Sequence, residues 1–240
     1  MLKVQNKKNF INGVKDSVPV ALAYLAVSFA LGVSASNLGL KWFVTVIMSM
    51  TNLTSAGQLA GLNIIAACGT ILEMILTQLV INARYFLMSI TLTQKLDGSF
   101  TFGHRLLCSA FVTDEIFAIA AAKPKTFGRK YFYGLVILPY VGWTLGTLLG
   151  ASAGSILPDF IINALGIALY AMFVAIILPP SITTRGVLPA VALGAGISCA
   201  IYFIPAFSNV STGIAIIISA VISALVIAAI FPIKDKEQER

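Results

Sequence analysis

Charged residues are scarce in this chain. Only 10% of its 240 residues are Asp, Glu, Lys or Arg, whereas 58% are hydrophobic. A soluble domain carries about 25% charged residues, so too few are present here to cover the surface of a dissolved globule. Intrinsic disorder is excluded as well, because disordered chains combine low hydrophobicity with high charge. The composition therefore predicts a polytopic protein of the lipid bilayer.

Residue types that carry metal, redox or nucleophilic chemistry are few as well. The chain has three cysteines and one histidine, and it contains no CxxC, GxSxG or HExxH motif. A disulfide framework, a metal site and an intramembrane hydrolase are therefore not expected, and neither is a cofactor. The net charge of +7 resides in short segments between apolar runs, which is typical of residues that orient membrane helices and not of a nucleic-acid-binding surface.

Eight apolar runs predict an all-α bundle of about eight transmembrane helices, with seven as the alternative. The runs cover 17–35, 42–67, 70–93, 106–122, 131–152, 160–179, 187–205 and 211–231. Runs of this length favour helices over a β-barrel, whose strands alternate over about 10 residues. Whether the second run is one continuous span or an interrupted helix is left open. The short connections predict a single transmembrane domain, 1–240, with no soluble domain, and the first run is expected to be an uncleaved helix.

Basic residues predict how the bundle is oriented. With eight crossings and the N-terminus inside, 12 basic residues fall on the inner side and 3 on the outer side. The outer residues are Lys41, Lys95 and Arg105, and the inner group includes the basic segment 123–130. An inner excess is what the positive-inside rule requires. Both termini are therefore expected to be cytoplasmic, in a protein of the cell membrane.

A weak internal repeat predicts two related halves, 10–122 and 128–233. In each half a glycine precedes, by five or six residues, a proline that is expected to open an apolar span; the pairs are Gly13 with Pro19 and Gly134 with Pro139. In each half the next run is interrupted, first at 52–58 and then at 179–183, which begins with Pro179. Paired interruptions are typical of transporters that bind substrate between broken helices. Chance similarity among glycine-rich helices is the alternative.

Five ionisable residues lie in or at the ends of the predicted spans: Asp16, Glu73, Arg84, Asp114 and Glu115. A charge at the bilayer centre costs at least about 2.5–3.5 kcal/mol, so each needs a partner, a water-filled cavity or a change of protonation. On the third run, Glu73 and Arg84 share one helical face but lie about 16 Å apart along the axis. We therefore expect Arg84 to pair with Asp114 or Glu115. A static pair that fixes helix packing is the alternative to a functional one.

A small, polar segment interrupts the second apolar run. Ser55, Ala56, Gly57 and Gln58 follow one another there. A helix that begins at this point exposes backbone N–H groups, which favour an anion such as a substrate carboxylate. A close helix contact through small residues is the alternative.

Four motifs occur together in this chain in a fixed order. They are Gly13 followed by Lys15-Asp16-Ser17 and Pro19, the segment Ser55–Gln58, the segment Asn82–Leu87 with Arg84 and Tyr85, and Thr113-Asp114-Glu115-Ile-Phe117. This set resembles the AzlC family, the large subunit of two-component branched-chain amino-acid exporters. Two positions depart from the family pattern: Tyr85 replaces a usual histidine, and Asn52-Leu-Thr54 replaces an aromatic-Ala-Gly sequence.

The resemblance implies a secondary transporter that exports valine, leucine and isoleucine, with methionine as a further expected substrate. It also implies a small AzlD-type membrane subunit and coupling to protons or to the membrane potential. A channel or a non-transporting scaffold is the alternative. The implied roles fall into three groups. Substrate binding is expected of Ser55, Gly57, Gln58 and Arg84, ion coupling of Asp114, Glu115 and Glu73, and structural roles of Gly13, Asp16, Pro19, Asn82, Tyr85, Pro139 and Pro179.

Overall fold

The computed structural model describes residues 2–153, 184–207 and 209–231, with isolated positions between 158 and 182. Nine α-helices occur in these ranges: α1 (Leu2–Asn37), α2 (Trp42–Thr51), α3 (Ser55–Ala66), α4 (Ile71–Thr93), α5 (Phe102–Ser109), α6 (Asp114–Ala121), α7 (Arg129–Ala153), α8 (Val187–Phe203) and α9 (Thr212–Ile230). The expected all-α membrane bundle is confirmed. Pro179 and most of the predicted span 160–179 lie outside the described residues.

Four of the described helices are long and apolar enough to cross a bilayer. They are α1 from Asn9 onward, α4, α7 and α9. The surfaces of α4 and α9 are mostly exposed, with only 11% and 17% of their most apolar windows buried, as expected for helices that face lipid. By contrast, about half of α7 is buried within the protein.

Contacts divide the chain into two compact units. The first comprises Met1–Leu59 and Asn82–Leu169, and the second comprises Ala60–Ile81 and Tyr170–Arg240. The continuous helices α3 and α4 contribute to both units. The first unit contains α1 and α7, which begin the two predicted repeat halves, 10–122 and 128–233; the repeat itself stays a prediction.

Helices α1 and α7 run parallel and touch from Phe10 to Gly32 of α1. Near their starts, a Cβ atom on Gly13 would meet the backbone of Leu135, and a Cβ atom on Gly134 would meet the backbone of Phe10. Near their ends, Gly150 lies against Phe29 in the same way. Small residues allow this close approach, which is a common means of helix association in membranes.

The two prolines lie inside these helices. Pro19 is part of α1 and Pro139 part of α7, so the expectation that each opens a span is wrong. Both helices begin earlier, because the polar flanks before the prolines also fold as helix. Membrane helices tolerate internal prolines because neighbouring groups satisfy the freed backbone carbonyl.

Two of the predicted spans are broken into pairs of short helices. The run 42–67 contains α2 and α3, separated at 52–54, which confirms the predicted interruption. The run 106–122 contains the end of α5 and the whole of α6, so the expected continuous span there is wrong. Helices of eight residues are about 12 Å long and cannot cross a hydrocarbon core of about 30 Å.

The second helix pair enters and leaves the bundle at the same end. After α4, Leu96 forms a β-bridge with Phe127, two residues before α7 begins, and the Lys95 ammonium donates to the Lys123 carbonyl oxygen at 3.0 Å. The end of α4 and the start of α7 are therefore neighbours. Because α5 and α6 connect them, they form a re-entrant helical hairpin, which we call the second hairpin (102–121). The placement of Lys95 and Arg105 on the opposite side from 123–130 is therefore wrong.

The helices α2 and α3 form a similar hairpin that enters from the opposite end. Helix α2 runs antiparallel to α7. Its start follows the end of α1, which lies against the end of α7, whereas the carbonyl oxygen of Met50, near the end of α2, accepts a hydrogen bond from Tyr140 in the middle of α7. Helix α3 runs antiparallel to α4. Its first turn contacts Tyr85 through Thr54, whereas Gly61 lies against Met74, nearer the start of α4. Since α4 itself runs opposite to α7, α3 returns to the end from which α2 came. We call 42–66 the first hairpin.

Candidate functional site

Both hairpins turn at a threonine that caps the returning helix. Thr54 accepts a hydrogen bond from the Gly57 N–H at 3.3 Å, and Thr113 accepts one from the Ile116 N–H at 3.4 Å. A threonine that accepts from the third residue of a helix is a standard N-cap. The N-termini of α3 and α6, with their partial positive charge, therefore lie at the two hairpin tips.

Arg84 of α4 forms an ion pair at the tip of the second hairpin. Its Nη1 lies 2.9 Å from Oδ2 of Asp114, the first residue of α6. The predicted pairing is thus confirmed with Asp114 as the partner. The side chains remain 38% and 23% exposed, so the pair is not sealed inside the protein. The N-terminus of α6 also stabilises the Asp114 carboxylate.

Arg84 also connects to the tip of the first hairpin. Its Nη2 donates to the Tyr85 hydroxyl at 3.2 Å, and that hydroxyl donates to Thr54 Oγ1 at 3.3 Å. The Arg84 guanidinium lies 4.9 Å from the centre of the Tyr85 ring, within the range of a cation–π contact. One arginine therefore links the two tips.

Glu115 has a different partner. The hydroxyl of Tyr24 on α1 lies 2.6 Å from Glu115 Oε2 and 2.6 Å from Thr113 Oγ1. A hydroxyl has one proton, so Tyr24 donates it to the Glu115 carboxylate and accepts a bond from Thr113. Tyr24 is buried and its ring packs edge-on against Trp143, with centroids 5.4 Å apart.

Each of the two tyrosines contacts the hairpin that does not follow its own helix in the chain. Tyr24 lies on α1, which precedes the first hairpin, but it contacts Thr113 of the second. Tyr85 lies on α4, which precedes the second hairpin, but it contacts Thr54 of the first. Because α1 and α4 run in opposite directions, each hairpin tip receives its tyrosine from a helix of opposite direction. Sequence reasoning missed this relation, although each break contains a threonine after an apolar residue.

Gln58 occupies a buried position away from the ion pair. Its side-chain amide donates to Ser49 Oγ at 2.7 Å, and Ser49 Oγ lies 2.7 Å from Thr147 Oγ1. Gln58 therefore joins both arms of the first hairpin to α7. Ser55 and Gly57 lie in the first turn of α3, beside the Thr54 cap.

Two other predicted residues make contacts away from the hairpin tips. Glu73 is in the first turn of α4, and its Oε1 accepts a hydrogen bond from the Gly213 N–H, at the start of α9, at 2.7 Å. Asp16 forms an ion pair with Lys123 at 2.6 Å, which holds α1 to the loop before α7. Asn82 lies on α4 two residues before Arg84. Among the described residues, no cluster of His, Cys, Asp and Glu could hold a metal ion.

Comparisons with known proteins show which family the chain belongs to. The family model described as "AzlC protein" matches residues 19–157. An uncharacterized membrane protein of Archaeoglobus fulgidus is 32% identical over 78% of this chain and 82% of its own length. The inner membrane protein YgaZ of Escherichia coli is 28% identical over 70% and 72%.

The branched-chain amino acid transport protein AzlC of Bacillus subtilis is more distant, at 23% identity over 64% of this chain and 63% of its own length. No solved structure matches. The family model covers more than half of the chain and includes both hairpins, Arg84 and Asp114. The chain therefore belongs to the AzlC family, a family of membrane transport proteins.

Proposed function

We propose that this protein is a secondary transporter that exports branched-chain and other hydrophobic amino acids, and that substrate binds between the two hairpin tips. The observation that carries the proposal is the ion pair of Arg84 and Asp114, placed between two helix N-termini and open to its surroundings. The name of the Bacillus subtilis relative supports the substrate class. A small AzlD-type membrane subunit is the proposed partner.

An amino acid carries the same two charges as this ion pair. Its carboxylate binds the Arg84 guanidinium, which favours planar, bidentate recognition, and its ammonium group binds Asp114. Substrate entry thus replaces one ion pair by two, and no charge is left without a partner in a region of low dielectric constant. Ser55 and Gly57, in the first turn of α3, contribute the positive end of that helix to carboxylate binding.

Gln58 acts in this scheme by holding the first hairpin in place, since its amide is bonded to Ser49. The substrate side chain is recognised by apolar surface. One methylene changes binding in such a pocket by only about 1–3 kcal/mol. Valine, leucine, isoleucine and methionine are therefore all proposed substrates.

Three carboxylates are candidates for ion coupling. Asp114 exchanges partners when substrate binds, and Glu115 is held by the neutral Tyr24 hydroxyl, so either can take up a proton as the tips separate. Glu73 of α4 is buried against the start of α9 and is the third candidate. Because the hairpins enter from opposite ends, movement of one tip at a time would expose the substrate to one side of the membrane at a time.

Flux of labelled leucine in proteoliposomes tests the function. The protein is reconstituted with and without an AzlD-type membrane subunit, and efflux is measured over a range of internal leucine concentrations. Saturable efflux, competed by isoleucine but not by aspartate, is the expected result. Flux that rises linearly with leucine concentration and does not saturate indicates a channel. No leucine flux under any coupling gradient indicates a scaffold. Either result contradicts the proposal.

A further inference from the structure

An apolar groove of about 310 Å³ lies in the first unit, between the C-terminal half of α4 and the second hairpin. Phe86 and Ile90 of α4 form one wall, and Val112, at the hairpin tip, closes one end. From Phe86 to Thr93 the wall follows two turns of α4, or about 10 Å along the helix axis. The groove therefore runs along the direction of the spanning helix, as an acyl chain does in a bilayer.

Arg105 of α5 is the one charged residue among the described residues that line the groove. In the described part of the chain, its side chain makes no hydrogen bond and no ion pair. It lies in the first turn of α5, a helix whose Phe102 and Leu106 are 83% and 65% exposed. The first turn of α5 is where the chain enters the re-entrant second hairpin, so the Arg105 guanidinium lies near the membrane interface, within reach of the lipid headgroups.

The surrounding loops carry a net positive charge, because Asp97 offsets Lys95 but the segment 123–130 holds four basic residues and no acidic one. Arg105 is at the end of the bundle where the loop after α4 meets the basic segment 123–130, because Lys95 contacts Lys123 there. Basic segments at a membrane surface attract anionic lipids. Guanidinium groups bind phosphate through paired, charge-assisted hydrogen bonds.

We propose that this groove is a binding site for an anionic phospholipid, with the lipid phosphate on Arg105 and one acyl chain in the groove. An apolar helix of a partner protein fits less well, because it would cover the Arg105 guanidinium without supplying a counter-charge. The acyl chain would end beside Val112, which directly precedes the cap residue Thr113. Bound lipid therefore supports the tip of the second hairpin.

Cys108 gives a native reporter, since it lines the groove. The full-length Cys68→Ser/Cys199→Ser protein is placed in nanodiscs of phosphatidylcholine, alone or mixed with phosphatidylglycerol. Its rate of modification by a small, neutral thiosulfonate reagent is then measured. We expect phosphatidylglycerol to slow the modification of Cys108 several-fold in this protein. The slowing should be smaller when Arg105→Lys is added and absent when Arg105→Gln is added.

Two controls separate the site from general lipid effects. Lys41→Gln, which removes a cation at the opposite end of α1, should keep the full protection of Cys108. A variant that retains Cys68 alone should react at the same rate in both lipid mixtures, because Cys68 is exposed and lies outside the groove.

Equal rates for Cys108 in the two lipids, or equal protection of the Arg105→Gln protein, would overturn the proposal. So would protection that arises in phosphatidylcholine alone once the small subunit is added, because the groove would then belong to a protein partner. If Arg105→Gln fails to fold, comparison of the two lipid mixtures with the parent and with Arg105→Lys still tests the proposal. None of these outcomes depends on amino-acid transport.

Discussion

Arg84 and Asp114 join the middle of a spanning helix to the tip of a hairpin that does not span, with 2.9 Å between Nη1 and Oδ2. A buried pair that served packing alone would tolerate an exchange of its two charges better than a binding site would. The Arg84→Asp/Asp114→Arg double variant separates these roles. We expect it to recover much of the thermal stability that Asp114→Asn loses, while leucine efflux stays at least about tenfold below the parent, equivalent to about 1.4 kcal/mol.

Thermal unfolding in detergent and efflux from proteoliposomes measure the two effects separately. Thr91→Ala, on an exposed position of the same helix, is the matched control and should alter neither. Efflux at the parent rate in the double variant would show that the pair is structural, and the proposed substrate site would be wrong.

Tyr85, which links the two hairpin tips, gives a second prediction. Tyr85→Phe keeps the ring but removes the hydroxyl that accepts from Arg84 and donates to Thr54. One such hydrogen bond contributes about 0.5–1.5 kcal/mol, so we expect leucine efflux to fall by roughly threefold to tenfold. Efflux rates at saturating and at low leucine concentration provide the measurement.

The corresponding change at the other tip, Tyr24→Phe, serves as the comparison. It removes the proton donated to Glu115 but leaves Arg84 untouched. If Glu115 carries the coupling proton, Tyr24→Phe changes the pH dependence of efflux, whereas Tyr85→Phe changes only its size. The same pH profile in both variants would contradict a coupling role for Glu115.

Helix content and the central ion pair could be predicted from the sequence, because unsatisfied backbone groups and unpaired charges are both energetically unfavourable in a bilayer. Apolar runs of about 20 residues must satisfy their backbone in lipid, and a lone Arg84 needs an acid at similar depth. The second hairpin could not, since an apolar run of 17 residues in 106–122 satisfies the same rules whether it crosses or turns back. Only Thr113, followed directly by Asp114, marked a helix start inside that run.

The distribution of basic residues did not reveal that the run 106–122 turns back. Placing Lys95 and Arg105 outside still left a large inner excess of basic residues, so the positive-inside rule was met by the wrong topology as well. In the structure, Lys95 lies beside Lys123, which increases that excess. Among the described loops of the first unit, Lys41 then remains the basic residue at the opposite end.

Cysteine accessibility tests this topology directly. In a version without native cysteines, Lys95→Cys and Lys125→Cys should react with a membrane-impermeant maleimide from one side of inverted vesicles. Lys41→Cys should react from the other side, because α1 and α4 each cross the bilayer once. If Lys95→Cys and Lys125→Cys react from opposite sides, the second hairpin is a crossing. If Lys95→Cys and Lys41→Cys react from the same side, the first hairpin is a crossing. Either result would show that the re-entrant fold is wrong.

The contact between α1 and α7 gives the last prediction. A Cβ atom at Gly134 would meet the carbonyl group and backbone of Phe10 on the parallel helix, which cannot move without separating the pair. Overpacking of this kind costs about 1–3 kcal/mol, so Gly134→Ala should lower the unfolding temperature in detergent by several degrees. Gly103→Ala is the matched control, because nothing lies within 4 Å of its Cβ position and alanine favours helix there. An equal effect of the two substitutions would show that α1 and α7 do not meet at Gly134.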